Sequence, residues 1–206
     1  MTNAAQSPDR RQFLKGVMLG AGSGAVAAGL LHPHAAAAQS IESYVDKVPM
    51  ATRWDLASTA YLATSVTYFK TRLDQGGKEQ FDEFMRANGR QAEARFPAAA
   101  ARYGFTGTDL KSAVAILPAI VALAFGPQQK FEVAEATADS ARVRCLTCAF
   151  WNTVQAMKVT DDLCSGWSRY SWEGRAKALN PRLTVTLVKA RPLGDPVCEW
   201  AFELKA

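Results

Sequence analysis

Apolar residues follow a helical spacing through the first half of the chain. Residues 50–73 carry aromatic and aliphatic side chains at intervals typical of one helix, which the Gly76-Gly77 pair is expected to end. A second helix is predicted over residues 78–103, with Pro97 as a kink or a break. This part of the protein is therefore predicted to be mainly helical.

The apolar run 114–125 predicts a third helix, for which Thr108 or Asp109 is the expected N-terminal cap. Pro118 interrupts the run, which is shorter than the roughly 20 apolar residues that cross a bilayer. We therefore expect no stable membrane span here. The pattern favours a buried core helix or a helix that docks on a partner.

From Lys130 onward the apolar positions alternate with polar ones, as in β-strands. Asp161-Asp162 is expected to begin a helix and Asn180-Pro181 to end it. The predicted strands span residues 131–136, 142–150, 183–190 and 197–204. This order predicts an α+β fold, in which a helical N-terminal half precedes a strand-strand-helix-strand-strand domain with a mostly antiparallel sheet.

Residues 1–38 have the organisation of a twin-arginine signal peptide. Arg10-Arg11 is followed by Phe-Leu, an uncharged run over residues 16–31 and a small-residue site, so cleavage is expected before Gln39. The pattern predicts export of the folded protein to the periplasm by the twin-arginine machinery. The alternatives are an uncleaved N-terminal anchor and a basic pair that occurs by chance.

The mature chain, residues 39–206, is expected to form one domain with a helical part (39–126) and a sheet part (127–206). The whole chain has a net charge of +5, and the leader carries three basic residues and one acidic residue. The mature protein is then only weakly basic, without a lysine-arginine cluster. Nothing in the charge pattern indicates a nucleic-acid partner.

Both histidines, His32 and His34, lie in the leader. A mature chain without histidine has no Ser-His-Asp or Cys-His catalysis and no histidine-ligated metal. The sequence also shows no nucleotide fingerprint and no haem motif, so no cofactor is expected. Proton transfer is left to Asp, Glu, Cys, Tyr or Lys side chains with shifted pKa, or to bound water.

The four cysteines are the main candidates for chemistry. Strand alternation predicts that Cys148 lies on the apolar face with Leu146 and that Cys145 lies on the far face. Cys148, Cys164 and Cys198 are then expected to converge between helix and sheet. A buried apolar cluster, a disulfide between Cys148 and Cys198, a nucleophile in a pocket and a metal site all stay open, although the spacings x2, x15 and x33 fit no zinc-ribbon or ferredoxin pattern.

Four short motifs resemble the L-2-amino-thiazoline-4-carboxylic acid hydrolase family. They cover residues 144–150 (Arg-Cys-Leu-Thr-Cys-Ala-Phe), 162–164 (Asp-Leu-Cys), 180–183 (Asn-Pro-Arg-Leu) and 193–202 (Leu-Gly-Asp-Pro-Val-Cys-Glu-Trp-Ala-Phe). The cysteine layout is also similar to that of 4-vinyl reductase-type small-molecule-binding domains. The resemblance implies hydrolysis of a cyclic amidine, in which water adds at the ring carbon between sulfur and nitrogen and a C–N bond breaks.

The resemblance also implies roles for particular residues. The expected catalytic residues are Cys148, Cys164, Cys198 and Asp162, and the expected substrate-binding residues are Arg144, Arg169 and Asp195. Cys164 is expected to be the better nucleophile because it lies near a helix N-terminus. In the family an aspartate usually follows the helix cysteine by three positions. Trp167 stands there in this chain, which leaves Asp161, Asp162 or Asp195 as substitutes.

Two functions of different classes are consistent with these observations. The first is an exported hydrolase of the thiazoline-carboxylate type. The second is a non-catalytic accessory or small-molecule-binding subunit of a larger periplasmic redox enzyme, on which the apolar helix 114–125 would dock. Twin-arginine export favours the second, because it carries cofactor-bearing proteins and their subunits. The cysteine motifs favour the first.

Overall fold

The structure, a computed structural model, describes residues 46–205 and has an α+β fold, as the sequence predicts. The predicted signal peptide, residues 1–38, lies outside the described residues. The elements in chain order are α1 (Met50–Arg102), α2 (Leu110–Phe125), β1 (Lys130–Ala136), β2 (Ser140–Thr147), α3 (Ala149–Ala156), α4 (Ser165–Leu179), β3 (Leu183–Lys189), a 3-10 turn (Arg191–Leu193) and β4 (Cys198–Leu204).

Helix α1 consists of two arms that meet at Gly77. This glycine has φ 67° and ψ −179°, which breaks the helical path where the sequence predicts the end of the first helix. The second arm continues through Pro97, so of the expected kink or break at that proline the break does not occur. Its last turn ends at Tyr103, whose backbone N–H donates to the carbonyls of Ala99 and Ala100.

Helix α2 is a core helix. The carboxylate of Asp109 accepts a hydrogen bond from the backbone N–H of Ser112 at 2.6 Å, which confirms the expected cap. Half of the residues of α2 are buried, so its apolar face is used within the protein: Leu110, Ala113, Val114, Ile116, Leu117, Pro118, Val121 and Phe125. Within residues 46–205 no helix is long and apolar enough to cross a membrane.

The four strands form one antiparallel sheet in the order β1-β2-β4-β3. The hairpins β1/β2 and β3/β4 therefore meet along β2 and β4, where Cys145 lies opposite Cys198 and Val143 lies opposite Trp200. Residues on alternate positions share a face, so the inner face carries Ala141, Val143 and Cys145 of β2 and Cys198, Trp200 and Phe202 of β4. This face forms the floor of the core, and the helices cover it.

Helix α4 packs between the sheet and α1. Its Trp172 stacks on Trp200 of β4 with ring centroids 4.3 Å apart and an interplanar angle of 8°. On the side towards α1 the two backbones are close, since a Cβ built on Gly174 would lie 2.4 Å from the carbonyl oxygen of Gly89. Glycine at both positions is what permits this approach.

Helix α3 is the element that the sequence analysis did not predict. The expected strand 142–150 ends at Thr147, and Cys148 becomes the N-terminal cap of a helix. The buried side chain of Gln129 supports this start, because its Oε1 accepts a hydrogen bond from the backbone N–H of Ala149 at 2.9 Å. The apolar run Ala149-Phe150-Trp151 fits a strand or a helix by pattern alone, and these tertiary contacts decide for the helix.

Candidate functional site: a thiol-lined aromatic pocket

All four cysteines line one pocket between the sheet and helices α2, α3 and α4. The pocket is lined mainly by thiols and rings, and we call it the thiol pocket. Its lining residues are Val121, Phe125, Gln129, Phe131, Cys145, Cys148, Phe150, Cys164, Trp167, Ser168, Trp172, Cys198 and Trp200. It encloses about 20 Å³ of free space, which is room for about one water molecule.

The prediction that Cys145 lies on the far face of the sheet is wrong. Cys145 is buried and shares the inner face of β2 with Ala141 and Val143, whereas Leu146 is 45% exposed. The side chains of β2 do alternate between the two faces, but Leu146 lies on the exposed outer face and not on the buried face where it was expected. The Sγ of Cys145 accepts a hydrogen bond from Gln129 Nε2 at 3.0 Å. The convergence predicted for three cysteines therefore includes the fourth.

Cys148 lies at the start of α3 and is half-buried. Its Sγ accepts a hydrogen bond from the backbone N–H of Trp151 at 3.4 Å, the arrangement of a helix cap. The neighbouring Cys145 thiol is the main cause that lowers the pKa of Cys148 to about 7. The Trp151 N–H and the charge of Arg191 act in the same direction, and burial opposes them. Cys148 is therefore the thiol of this pocket that ionises first.

The other three thiols ionise less readily. The hydrogen bond to Cys148, followed by burial, raises the pKa of Cys145. Burial raises the pKa of Cys164 well above its usual value and that of Cys198 to about 11. This burial argues against the expectation that Cys164 is the better nucleophile, which stays a prediction. Its position at the start of α4 does not compensate for the loss of solvent.

The four cysteines are free thiols in this structure. In the strand register the neighbour of Cys198 is Cys145, so the sheet does not pair Cys148 with Cys198, as the open alternative of a disulfide between them requires. Within residues 46–205 no group of three or more His, Cys, Asp or Glu side chains is arranged to hold a metal ion. The view that the Cys-x-x-Cys pair lies on one strand is also wrong, since Cys148 begins a helix.

Aromatic rings form the walls of the thiol pocket. Trp167 stacks on Phe125 with centroids 5.3 Å apart and faces Phe150 at 6.4 Å and an angle of 8°. The Trp172 and Trp200 pair described above forms another wall. Among the described residues, the Nε1 of Trp200 is a buried donor without a hydrogen-bond partner. Such a group is rare in a folded protein and is a place where a ligand can supply an acceptor.

Asp162 lies close to the cysteines but acts as a cap in this structure. Its carboxylate accepts hydrogen bonds from the backbone N–H groups of Cys164 at 3.2 Å and Ser165 at 2.9 Å, and it also contacts the Ser165 hydroxyl. The helix itself begins at Ser165 with Cys164 at the N-cap position, later than the start expected at Asp161-Asp162, and Asp162 supports it from the preceding turn. Asp161 lies 3.5 Å from Lys70 in an ion pair at the surface.

The three expected substrate-binding residues lie apart from the thiol pocket. Arg144 points to the outer face of the sheet, where its Nε donates to the nearly buried Glu199 at 2.5 Å. That hydrogen bond lowers the pKa of Glu199. Arg169 lines a separate cavity beside Asp162, and Asp195 accepts a hydrogen bond from the Ala190 N–H at 2.8 Å.

Sequence reasoning missed Gln129 and the pocket role of the tryptophans. Trp167 and Trp200 both lie inside or next to the cysteine motifs, which is a signal that their rings share the cysteines' environment. Gln129 carries no such signal, because a single glutamine before a strand is ordinarily a surface residue. Trp167 forms a wall of the pocket.

No protein-family model matches the sequence, and no curated protein matches it either. Among solved structures, the chain is similar to subunit 3 of the trafficking protein particle complex from Naegleria fowleri, covalently bound to palmitic acid. The TM-score is 0.56 with 12% identity, over 73% of this chain and 96% of that one. It is also similar to the phenol-responsive sensory domain of the transcription activator PoxR with phenol. That TM-score is 0.52 with 12% identity, over 69% of this chain and 74% of that one. These likenesses concern the fold.

Proposed function

We propose that the protein is a small-molecule-binding module whose thiol pocket receives a planar apolar ligand with a hydrogen-bond acceptor. The observation that carries the proposal is a pocket walled by aromatic rings, one of which, Trp200, has a buried Nε1 without a hydrogen-bond partner among residues 46–205. Ligand pockets typically combine apolar walls with a few polar groups that fix orientation. Here those groups are one indole N–H and the thiols.

The two solved structures support the choice of ligand class. One has palmitic acid bound covalently and the other has phenol bound, so each of these similar folds is associated with a small apolar molecule. Phenol provides both a flat ring and an oxygen that can accept a hydrogen bond. We therefore choose phenol as the first probe for this chain.

A ligand of that size requires the pocket to expand. Its free space of about 20 Å³ holds about one water, whereas an engineered cavity that binds benzene measures about 150 Å³. Trp167 is the wall that can move, because it is only partly buried and also borders a larger cleft of about 280 Å³. The ligand ring takes the place that the Trp167 indole occupies between the other rings.

The experiment compares phenol with toluene on three proteins by calorimetric titration. Trp200→Phe keeps a ring but removes the indole N–H, and we expect it to weaken phenol binding about fivefold, the worth of one hydrogen bond. Toluene binding should not change. Trp54→Phe is the matched control, because Trp54 donates to the Leu123 carbonyl at 3.1 Å outside the pocket. Equal phenol affinity in wild type and Trp200→Phe would contradict the role of this N–H.

The second candidate is the hydrolase of the thiazoline-carboxylate type, and the position of Cys148 favours it. A thiolate at a helix N-terminus, beside a proton-donating thiol, has the features of an activated nucleophile. The thiolate adds to the amidine carbon of the ring, the C–N bond breaks, and water then releases the product from Cys148. The proton for the leaving nitrogen comes from the neighbouring Cys145 thiol, which water restores.

Ring opening separates this candidate from simple binding. Loss of the ultraviolet absorbance of 2-amino-thiazoline-4-carboxylate should be abolished in Cys148→Ser and largely kept in Cys164→Ser. If wild type binds the compound without opening it, the protein is a binding module. If it neither binds nor opens it, the hydrolase candidate fails.

Export to the periplasm is part of the proposal and rests on the twin-arginine sequence alone. The version with a larger redox partner has less support, because the apolar face of α2, which was the expected docking surface, packs in the core. A partner would have to bind elsewhere on the protein. Co-purification of a redox enzyme with the exported protein would support that version.

A further inference from the structure

Arg175 of α4 is a partly buried cation without an acidic partner. Its Nη1 lies 3.4 Å from the Ser171 hydroxyl, and its guanidinium carbon lies 5.9 Å from the centre of the Trp167 ring. No ion pair joins it to any carboxylate among residues 46–205. The guanidinium has five N–H donors, so most of them are left without a protein acceptor.

Two acidic side chains of α1 are already paired with other cations, and Glu173 of α4 makes no ion pair with Arg175. Glu93 lies 2.9 Å from Lys177, and Glu83 lies 2.8 Å from Arg90. Partial burial lowers the pKa of Arg175. Its free N–H groups still reach the solvent and are open to an anion.

A second cation faces the same space. Arg95 of α1 lines this cleft, which we call the arginine cleft, and makes no ion pair or hydrogen bond within the described part of the chain. The cleft has a volume of about 280 Å³ and no Asp or Glu among its lining residues. Its polar lining is made by Tyr61, Asn88, Gln91, Arg95, Ser171 and Arg175. It therefore presents positive charge and hydrogen-bond donors to a ligand.

Trp167 belongs to both the arginine cleft and the thiol pocket. One indole ring separates the apolar pocket from the unpaired guanidinium. A ligand whose ring takes the place of the Trp167 indole can therefore extend a short chain towards Arg175. Arginine binds a carboxylate through two parallel hydrogen bonds, and this geometry suits a cleft that offers a guanidinium and no acid.

We propose that Arg175, assisted by Arg95, binds the carboxylate of an amphipathic ligand whose apolar ring or chain lies in the thiol pocket. The inference deepens the proposed function and rests on it for the apolar part of the ligand. It assigns the ligand to the aryl or acyl carboxylic acids. Arg175 then has the role of carboxylate contact that the sequence analysis expects for Arg144 or Arg169.

The test compares 3-phenylpropionate with 3-phenylpropanamide, which has the same shape without the charge, by calorimetric titration at low salt. Wild type should prefer the carboxylate tenfold or more. Arg175→Met should remove the preference, and Lys177→Met, which deletes a charge two residues along the same helix, should keep it. Thermal melts of both variants confirm that each is folded.

The outcomes separate the two proposals. If phenol and the amide bind but wild type shows no preference for the carboxylate, the anion site is wrong and the thiol pocket stands. If acetate and 3-phenylpropionate bind in an Arg175-dependent way while phenol and the amide do not, the anion site stands and the aromatic pocket is wrong. A preference that persists in Arg175→Met overturns the assignment to this residue.

Discussion

The side chain of Gln129 connects Cys145 to the start of α3. Its Nε2 donates to the Cys145 Sγ at 3.0 Å, and its Oε1 accepts from the Ala149 N–H at 2.9 Å. One buried amide thus fixes the end of a strand and the beginning of a helix. Cys148 lies between these two points, so its position at the helix cap depends on this amide.

We expect Gln129→Met to lower the free energy of unfolding by about 1–3 kcal/mol, because it leaves the buried Ala149 N–H without an acceptor. Chemical denaturation measures this change. The control is Gln128→Met at the exposed neighbouring position, which should cost less than about 0.5 kcal/mol. Equal losses in both variants would mean that the buried amide does not support the start of α3.

The reactivity of Cys148 should follow its lowered pKa. Alkylation of the native protein by iodoacetamide should rise to half its maximum near pH 7 for Cys148 and only at higher pH for Cys198, whose pKa is raised to about 11. Mass spectrometry of timed digests assigns each site. Faster labelling of Cys164 than of Cys148 would contradict this order and would identify Cys164 as the better nucleophile.

The lowered pKa of Cys148 also makes the stability of the fold depend on pH. The pKa of Cys148 is lower in the folded protein than the usual 9.0, so the thiolate stabilises the fold. This contribution is complete above about pH 9 and is lost as the pH falls through 7. Cys148→Ser should remove that part of the pH dependence from denaturation curves.

The close approach of α1 and α4 predicts a severe effect of a small change. In Gly174→Ala the new methyl group would lie 2.4 Å from the Gly89 carbonyl oxygen, which is backbone and cannot rotate away. We expect a loss of about 1–3 kcal/mol from overpacking. Gly166→Ala on the same helix is the control, since its nearest neighbour lies at 3.5 Å. Similar melting temperatures for the two variants would show that the helices can separate at little cost.

Export is testable through the leader. Replacement of Arg10 and Arg11 by lysine should leave full-length folded protein in the cytoplasm, because the twin-arginine pair is the signal for this route. Cell fractionation and immunoblotting measure the distribution. A periplasmic double variant of normal processed length would remove the basis for the proposed location.

The sequence predicts the larger elements well for identifiable reasons. Gly77 indicates a helix end, and its positive φ breaks α1 where the end was expected. Asp109 indicates an N-terminal cap, and its side chain caps α2 as expected. The start of α3 depends instead on Gln129, which contacts it from 20 positions earlier in the chain. Local patterns do not contain that information. The predicted strand 142–150 therefore extends beyond the end of β2, and the sequence places Cys145 on the wrong face.

The candidate site, like the fold, could be predicted from the sequence only in part. Cysteine convergence could be predicted, because helix and strand periodicity place Cys164 and Cys198 on inward faces. The ionisation order of the thiols could not, since it depends on the hydrogen bond between Cys145 and Cys148 and on burial. The unpaired state of Arg175 likewise appears only when the partners of every neighbouring acid are known.

The most direct test of the ligand pocket uses the five tryptophan indole N–H signals in a nitrogen-15 correlation spectrum during titration with phenol. We expect the signals of Trp167, Trp172 and Trp200 to shift together, with the largest change at Trp200, whose N–H gains an acceptor. The signal of Trp54, whose N–H already donates to Leu123, should stay in place. Unmoved signals for the three pocket tryptophans at saturating phenol would contradict the proposed pocket.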